Sequence, residues 1–275
     1  MKRLTKFLLK RFAGAARPYL QSYGLLRTSM AFNRSALVFE PGPGRILVLA
    51  PHMDDEILGC GGALALHLKA GATVHVAFMT DGRHGSGELG RYSGGARRQK
   101  EMELVATRKE EARRALALYD LTPADITFID AEDGHLADTA WAPAKLRELL
   151  EKFRPDIVYF PFFLEQHPDH IATGQVLMEA TRGTGINFQC LAYEVWTPLF
   201  PNCLVSIDSV VELKRQALSQ YVSQLKDADY LHTGLALNAY RSAGIIARES
   251  RYVEAFTSVG LEQYRQMFDD YRRGH

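Results

Sequence analysis

Two short tetrads carry the side chains that are most able to do chemistry. Residues 52–55 read His-Met-Asp-Asp, and residues 167–170 read His-Pro-Asp-His. Each tetrad follows an apolar run that predicts a buried strand. Imidazole nitrogens and carboxylate oxygens are ligands of zinc and of similar divalent metals. If the two strands are neighbours in one sheet, the tetrads together would form a metal site.

Each tetrad also has a simpler explanation. Acidic residues at the start of a helix satisfy free backbone N–H groups and the helix dipole, which would account for Asp54, Asp55 and Glu56 without a metal. It would not account for His52. Asp169 could likewise cap a helix that follows the second tetrad. Taken together the tetrads favour a metal site, because both lie where α/β proteins bind ligands.

The elements that must position the tetrads alternate between strand and helix patterns. Apolar runs predict strands at 45–50, 73–80, 126–129, 156–161 and 189–196, with a short further candidate at 252–256. Helical spacing predicts helices at 57–68, 97–119, 144–153, 170–181, 210–224 and 228–243. This alternation predicts an α/β fold, a Rossmann-like three-layer sandwich around a mostly parallel sheet. The first strand of such a sheet often lies beside the fourth, so we expect the active site at the carboxyl ends of the strands.

Charge divides the chain into an arm and a domain. Residues 1–40 contain eight Lys or Arg and one acidic residue, whereas the rest of the chain has a net charge of −6. A Pro-Gly-Pro-Gly sequence at 41–44 separates the two parts. We therefore expect a basic amphipathic N-terminal arm at 1–40 and a single domain at 41–275. The apolar stripe of the arm could lie on an anionic membrane surface, pack on the domain or form a dimer contact.

Composition excludes several classes of protein. The net charge of the whole chain is +1, which argues against nucleic acid as the main partner. No run of about 18 apolar residues predicts a spanning helix, and charges interrupt every candidate core of a signal peptide. The three cysteines form no Cys-x-x-Cys pair, so a thiolate zinc finger is excluded and a disulfide framework is not expected. These features predict a cytoplasmic protein, with peripheral contact at the inner membrane face if the arm binds lipid.

The order of several motifs resembles the LmbE-like, or PIG-L, family of zinc-dependent N-acetylglucosaminyl deacetylases. The resemblance runs from about residue 45 to 185 and continues weakly at 221–224 and 254–256. The two tetrads are its specific motifs. The motifs that carry it are Ala-Pro-His-Met-Asp-Asp-Glu at 50–56, Leu-Gly-Cys-Gly-Gly at 58–62, Thr-Asp-Gly at 80–82, Arg-Lys-Glu-Glu-Ala at 108–112, Asp-Gly at 133–134, Arg-Pro-Asp at 154–156 and His-Pro-Asp-His at 167–170.

The resemblance implies a hydrolase that removes an acetyl group from an N-acetylated sugar of the N-acetylglucosamine type in a glycoconjugate, by cleaving a linear amide C–N bond. It assigns three groups of residues: His52, Asp55 and His170 to the metal, Asp54, His167 and Asp169 to catalysis, and Arg108 and Asp133 to the sugar. The implied cofactor is Zn²⁺, and Fe²⁺ in cells is an alternative, since two histidines and one carboxylate serve both metals. The implied substrate is a sugar conjugate. The basic arm suggests a lipid-linked or envelope glycan precursor, and a small soluble glycoside is the alternative. Oligomeric state is not predicted.

The implied roles agree with the chemistry of these residues. Two imidazoles and one carboxylate leave zinc an open position, where a bound water has a pKa near 7. Asp54 is expected to act as the general base that takes the proton of this water. His167 is expected to stabilise the negative carbonyl oxygen as an imidazolium, with Asp169 favouring its charged form. His84, in a glycine-rich segment, could also reach substrate, although most loop histidines are solvated bystanders.

Two positions depart from the family pattern, and two other functions stay open. The family usually has Pro where Met53 stands and often has His where Tyr221 stands, so the Tyr221 segment carries no implied substrate contact. One alternative is a family member that binds sugar without catalysis. The other is a nucleotide- or methyl-donor-binding domain, suggested by the glycines of 59–62. A glycine fingerprint of that kind belongs in the turn directly after the strand, which 52–55 occupies.

Overall fold

The computed structural model describes residues 37–243 and 250–274. Its core is one eight-stranded mixed sheet with the order β1-β7-β8-β6-β5-β2-β3-β4. The strands are β1 (Leu37–Val38), β2 (Arg45–Ala50), β3 (Thr73–Thr80), β4 (Ile126–Ala131), β5 (Ile157–Pro161), β6 (Gln189–Tyr193), β7 (Cys203–Ser206) and β8 (Val253–Gly260). The helices are α1 (Asp55–Lys69), α2 (Gly94–Ala117), α3 (Ala142–Phe153), α4 (Pro168–Ala180), α5 (Val211–Leu218), α6 (Val222–Leu225), α7 (Tyr230–Ser242) and α8 (Leu261–Gly274).

Two hydrophobic cores lie on opposite faces of the sheet. Successive side chains of a strand point to opposite faces, so Ile46 and Val48 enter one core while Leu47 and Leu49 enter the other. Helices α1, α2 and α5 cover the first face, and α3, α4 and α8 cover the second. The predicted three-layer α/β sandwich is therefore confirmed. None of the helices in the described ranges has an apolar stretch long enough to cross a bilayer.

The sheet places the two tetrads side by side. Strand β2 pairs in parallel with β3 and with β5, in a register that sets Val48 opposite Tyr159. The chain leaves both β2 and β5 at the same edge of the sheet, and each tetrad follows there. The expected adjacency of the first and fourth predicted strands is thus confirmed.

The elements far from the tetrads differ more from the sequence expectation. The chain adds an unpredicted strand, β7, and an unpredicted helix, α8. The 252–256 candidate becomes the eight-residue β8, which is antiparallel to both β6 and β7. The helix expected at 210–224 is interrupted between α5 and α6. Within α6, the backbone N–H and the hydroxyl of Ser223 donate hydrogen bonds to Glu111. These features depend on pairing and packing partners that are distant in sequence.

Only the last residues of the predicted N-terminal arm belong to the described part of the chain. Its residues 1–36 lie outside the described residues. Leu37 and Val38 form β1, which pairs in parallel with β7 at the edge of the sheet.

Helix α1 approaches the sheet unusually closely, which explains its glycines. A Cβ on Gly59 would lie 2.3 Å from Cδ2 of Tyr193, and one on Gly62 would lie 2.4 Å from Cγ2 of Ile207. The helix kinks at Cys60, which has φ −146°. The glycines thus serve packing, and they do not lie in the strand-to-helix turn that a nucleotide fingerprint requires.

A buried ion pair secures this kink. Glu254 accepts the freed backbone N–H groups of Gly62 and Ala63 at 2.7 and 2.8 Å. Lys214 Nζ donates to Glu254 Oε1 at 2.7 Å and to the carbonyl of Leu58 at 2.9 Å. Both charged side chains are fully buried. The pair therefore fixes the direction of the first turn of α1, which carries Asp55.

Candidate active site

The backbone between β2 and α1 is strained at Asp54. This residue has φ +140° and ψ −29°. Residues other than glycine rarely adopt this conformation, which costs on the order of 1–3 kcal/mol. The Asp54 N–H donates to Glu56 Oε2 at 3.1 Å, and Arg108 Nη2 donates to the carbonyl of Met53 at 3.0 Å. Tyr221 is buried and donates a hydrogen bond to the other oxygen of Glu56. Surrounding side chains therefore hold Asp54 in place.

The carboxylate of Asp55 contacts both of the histidines that were assigned to the metal. Asp55 Oδ2 lies 3.2 Å from His52 Nδ1 and 3.2 Å from His170 Nε2. Two ligands that each bind a tetrahedral ion at about 2.0–2.1 Å are separated by about 3.3 Å. Within the described ranges, neither ring nitrogen of the buried His170 has a well-aligned hydrogen bond. The chemistry of this donor set therefore fits a divalent metal.

Carboxylates also face the outer nitrogens of the two histidines. His52 Nε2 lies 3.2 Å from Asp133 Oδ1 and 3.3 Å from Asp169 Oδ2. His170 Nδ1 lies 3.6 Å from Glu165 Oε2. Carboxylates in this position orient metal-binding histidines and make them better ligands. Sequence reasoning did not identify Glu165, and its only signal is an acidic residue two positions before the second tetrad.

His167 adds a third imidazole to the cluster. Ligand atoms of His52, His167 and His170 lie within 4.8 Å of one another, and so do those of His52, Asp133, His167 and Asp169. The ring of His167 meets that of His52 edge-on, with 4.6 Å between centroids. Both sets include His167 and neither includes Asp55, which contacts His52 and His170 separately.

Charges in the cluster are strongly interdependent. Burial would lower the pKa of His52, but hydrogen bonds to Asp133, Asp169 and Asp55 raise it well above its usual value. Burial likewise opposes the charged form of His170, yet attraction by Asp55 raises its pKa to about 9. Burial would raise the pKa of Asp55, but the charge of His170 lowers it. The carboxylates therefore favour positive charge at both imidazoles, and a divalent cation would replace the protons that they carry.

Asp54 has a different environment. Burial raises its pKa to about 7, although the Arg108 guanidinium, 3.5 Å from Asp54 Oδ1, opposes the rise. A carboxyl group with a pKa near the working pH can both accept and release a proton. Its position on the cavity wall beside His52 and Asp55 is the one expected of a general base.

The surroundings of His167 act in both directions on the imidazolium that was expected. Burial and the neighbouring His52 and His170 lower its pKa, whereas Asp169 and Asp55 oppose this. The carboxylate of Asp169 also accepts backbone N–H groups of Gly134 and Leu136 at 2.7 and 3.1 Å. The backbone N–H of Asp169 donates to His167 Nδ1 at 3.2 Å. This bond leaves the proton of a neutral ring on Nε2, so His167 is still a hydrogen-bond donor.

The two residues assigned to the sugar differ from each other. Arg108 is only 2% exposed, and its guanidinium donates to the carbonyls of Gly82 and Met53 at 3.2 and 3.0 Å. Asp133 accepts the backbone N–H of His84 at 2.9 Å through Oδ2, and its Oδ1 faces His52. Both line the cavity. These contacts indicate that Arg108 supports Asp54 and its backbone rather than binding the sugar.

A cavity of about 170 Å³ joins these residues. Its wall includes four side chains that were not assigned to the site from the sequence resemblance: His84, Trp196, Gln224 and Tyr230. His84, a possible substrate contact on sequence grounds, is held there by a 2.9 Å contact between its Nδ1 and the carbonyl oxygen of Asp133. Tyr221 does not line this cavity, whereas Gln224, three residues later, does. The cavity therefore brings together residues from most of the chain beyond β2.

A model of the PIG-L family, described as GlcNAc-PI de-N-acetylase, matches residues 47–181. This range contains both tetrads and all the residues that converge at the candidate metal centre. Residues 47–181 form a PIG-L family domain. The motif resemblance found in the sequence is thereby confirmed.

Named relatives of this PIG-L protein are deacetylases. It is 29% identical over 199 residues to diacetylchitobiose deacetylase of Thermococcus kodakarensis. This alignment covers 66% of this chain and 71% of the relative. It is 30% identical over 145 residues to a probable N-acetyl-α-D-glucosaminyl L-malate deacetylase 2 of Bacillus subtilis, covering 49% and 59% of the two chains. These names describe enzymes that act on N-acetylated sugars.

Solved structures show the same PIG-L architecture. A conserved protein of Thermus thermophilus superposes with a TM-score of 0.62 at 26% identity, over 78% of this chain and 94% of the other. The N,N′-diacetylchitobiose deacetylase of Pyrococcus horikoshii superposes with a TM-score of 0.63 at 23% identity, over 78% and 84%. The second likeness concerns the fold alone.

Proposed function

We propose that this PIG-L protein is a metal-dependent hydrolase that removes the acetyl group from an N-acetylated sugar of the N-acetylglucosamine type. One observation carries the proposal. Asp55 lies 3.2 Å from a ring nitrogen of both His52 and His170, and Asp54 lines a cavity together with His52 and Asp55. The names of the relatives support the choice of an N-acetylated sugar as the substrate class.

The metal and the general base have separate roles in the proposed reaction. A divalent cation held by His52, Asp55 and His170 would supply Lewis acidity, which lowers the pKa of a water molecule and polarises the acetyl carbonyl. Asp54 accepts the proton of the attacking water at its carboxylate and returns it to the leaving amine nitrogen. The amide C–N bond breaks and a C–O bond forms, giving acetate and a free amino sugar. Zinc and ferrous iron both suit two histidines and one carboxylate.

Other residues position the reactants. His167 donates its Nε2–H to the carbonyl oxygen as negative charge develops, and one such donor is typically worth on the order of 10²–10³ in rate. Asp169 and Glu165 orient the two metal-binding histidines through their outer ring nitrogens. Asp133 presents a carboxylate to the cavity that can accept a sugar hydroxyl. Arg108 holds Asp54 by its backbone and its charge.

The direct test combines metal content with acetate release. Purified full-length protein is stripped with a chelator and reloaded with Zn²⁺ or Fe²⁺, and acetate release from the methyl glycoside of N-acetylglucosamine is measured. We expect His52→Ala and His170→Ala to lose bound metal and activity, and Asp54→Asn to keep metal and lose turnover. His135→Ala and Asp138→Asn are matched controls, because both side chains are exposed. Near-normal turnover in Asp54→Asn would show that the assigned base is wrong.

A sugar-binding protein without catalysis predicts a different result. It would bind the glycoside with or without Asp54 and would release no acetate under any metal condition. The same samples therefore separate the two functions.

A further inference from the structure

We propose that the mouth of the cavity is a second sugar subsite, formed by Trp196 and Tyr230, that binds a sugar ring attached to the N-acetylated one. We call these two residues the rim pair. This inference rests on the proposed function and extends it from the reacting sugar to the group that the sugar carries. The substrate class would be an N-acetylated disaccharide or a larger glycan, in preference to a simple or lipid-linked monosaccharide.

The cavity is too small to enclose a whole conjugate. Its volume of about 170 Å³ is below the roughly 300–1,000 Å³ that is typical of pockets that enclose most of a small molecule. The acetamido group must reach Asp54, His52 and Asp55, which occupy part of the cavity wall. The rest of the conjugate therefore has to lie at the mouth.

The rim pair presents two aromatic faces at that mouth. The ring centroids of Trp196 and Tyr230 are 5.2 Å apart, and the ring planes meet at 69°. Both residues line the cavity, yet Trp196 remains 43% exposed. The negative face of an aromatic ring attracts the partly positive C–H groups that cover one face of a sugar ring. Two such faces set at a steep angle form a corner that fits a flat, saturated ring.

A network of buried side chains holds the Trp196 loop. The Glu165 carboxylate accepts hydrogen bonds from the backbone N–H groups of residues 195–197, with a shortest distance of 2.7 Å. Glu165 itself is only 4% exposed. The loop is therefore preformed, and a ligand that stacks on Trp196 loses little free energy in ordering it.

A second connection joins this loop to the helix that carries Tyr230. Arg241, on α7, forms an ion pair with Glu194 through Nε and Oε1 at 2.7 Å and donates to the carbonyl of Leu199 at 2.7 Å. Tyr230 is the first residue of α7. The two rings of the rim pair thus belong to one connected framework, as a binding site requires.

The chemistry of the wall favours a sugar over an alkyl chain. Among the described residues that line the cavity, none has an aliphatic side chain. The neighbours of the rim pair are polar and include His84 and Gln224. An acyl or alkyl group would gain little from such a surface, whereas a sugar ring can stack on Trp196 and hydrogen-bond to the polar groups.

The kinetic test compares three substrates of the metal-loaded protein: the methyl glycoside of N-acetylglucosamine, its octyl glycoside and N,N′-diacetylchitobiose. We expect the disaccharide to have the highest kcat/KM. We expect Trp196→Ala to lower that value about tenfold, or about 1.4 kcal/mol, and to lower the value for the methyl glycoside by a clearly smaller factor. Phe200→Ala is the matched control, because this exposed aromatic residue lies on the same loop but outside the cavity. A preference for the octyl glycoside, or an equal effect of Trp196→Ala on all three substrates, would overturn the inference.

A fluorescence measurement tests the subsite without relying on turnover. The chain has two tryptophans, Trp141 and Trp196, and Trp141 does not line the cavity. In the Trp141→Phe variant, we expect diacetylchitobiose to change the emission of Trp196 at lower concentration than the methyl glycoside does. Absence of any response to the disaccharide at millimolar concentration would refute the rim subsite, even if acetate is released. A response without acetate release would instead refute the proposed hydrolase and leave the subsite standing.

Discussion

Replacing Arg108 distinguishes a residue that supports the base from one that binds the sugar. The guanidinium donates to the carbonyl of Met53 at 3.0 Å, donates to that of Gly82 at 3.2 Å and lies 3.5 Å from Asp54 Oδ1. We predict that Arg108→Met lowers kcat strongly and changes KM by less than about threefold. An interaction that holds the reacting group in place affects the rate more than the ground-state binding of substrate.

The expected magnitude follows from these contacts. A hydrogen bond from a charged group contributes about 1.5–3 kcal/mol, and the strained conformation of Asp54 stores on the order of 1–3 kcal/mol that is released when its support is lost. Loss of one well-made contact with partial relaxation of Asp54 amounts to about 3 kcal/mol, which corresponds to a decrease in kcat of roughly 10²-fold. Arg108→Lys keeps the charge but cannot reach two carbonyls in the same fork geometry. We therefore expect it to fall between Met and the wild type.

Steady-state kinetics on the methyl glycoside of N-acetylglucosamine, with metal content measured on the same samples, tests this prediction. Arg113→Met is the matched control, since Arg113 lies on the same helix, α2, and its side chain is 42% exposed. Unfolding by urea checks that each variant is folded. A large rise in KM with an unchanged kcat would refute the reasoning and return Arg108 to the sugar-binding role that the sequence resemblance implied.

Three further predictions concern the rest of the chain. Lys214→Met should lower the free energy of unfolding by about 3–5 kcal/mol, since it leaves the buried charge of Glu254 unpaired, whereas the exposed Lys226→Met should change it by less than about 0.5 kcal/mol in urea titrations. Burial lowers the pKa of His67, although its hydrogen bond to a backbone carbonyl opposes this. The folded state therefore favours the neutral ring. The free energy of unfolding decreases as the pH falls below 6.5, because the unfolded chain takes up the proton more readily. Unfolding free energy should accordingly decrease more steeply from pH 7 to pH 5 in the wild type than in His67→Gln. Deletion of residues 1–36 should weaken cosedimentation with anionic vesicles at low salt, and unchanged cosedimentation would exclude the arm as a membrane anchor.

The sequence was most informative where the signal is local. The apolar runs predicted as strands at 45–50 and 156–161 form β2 and β5, and each tetrad follows in the loop after its strand. Their meeting required one general rule of α/β topology. The antiparallel strand β8 and helix α8 could not be predicted in the same way, because their stability depends on partners far away in the chain.

The roles of individual side chains were harder to predict than their presence. Arg108 and His167 occupy the cavity wall as the family pattern implies, but the sequence does not say which atoms they bind. Arg108 is directed to backbone carbonyls because the turn after β2 exposes them. His167 receives a backbone N–H because it stands at the start of α4. Such details arise from the local path of the main chain.

Glu165 connects the proposed metal centre to the proposed rim subsite. One buried carboxylate lies 3.6 Å from the outer nitrogen of His170 and also accepts the backbone N–H groups that shape the loop of Trp196. A displacement of that loop would therefore move the group that orients a metal ligand. Replacing Glu165 with Gln removes the charge but keeps an acceptor, so the loop would retain part of its support while His170 would lose its carboxylate partner. The proposed metal centre and the proposed rim subsite are thus connected through one buried side chain in the loop that follows β5.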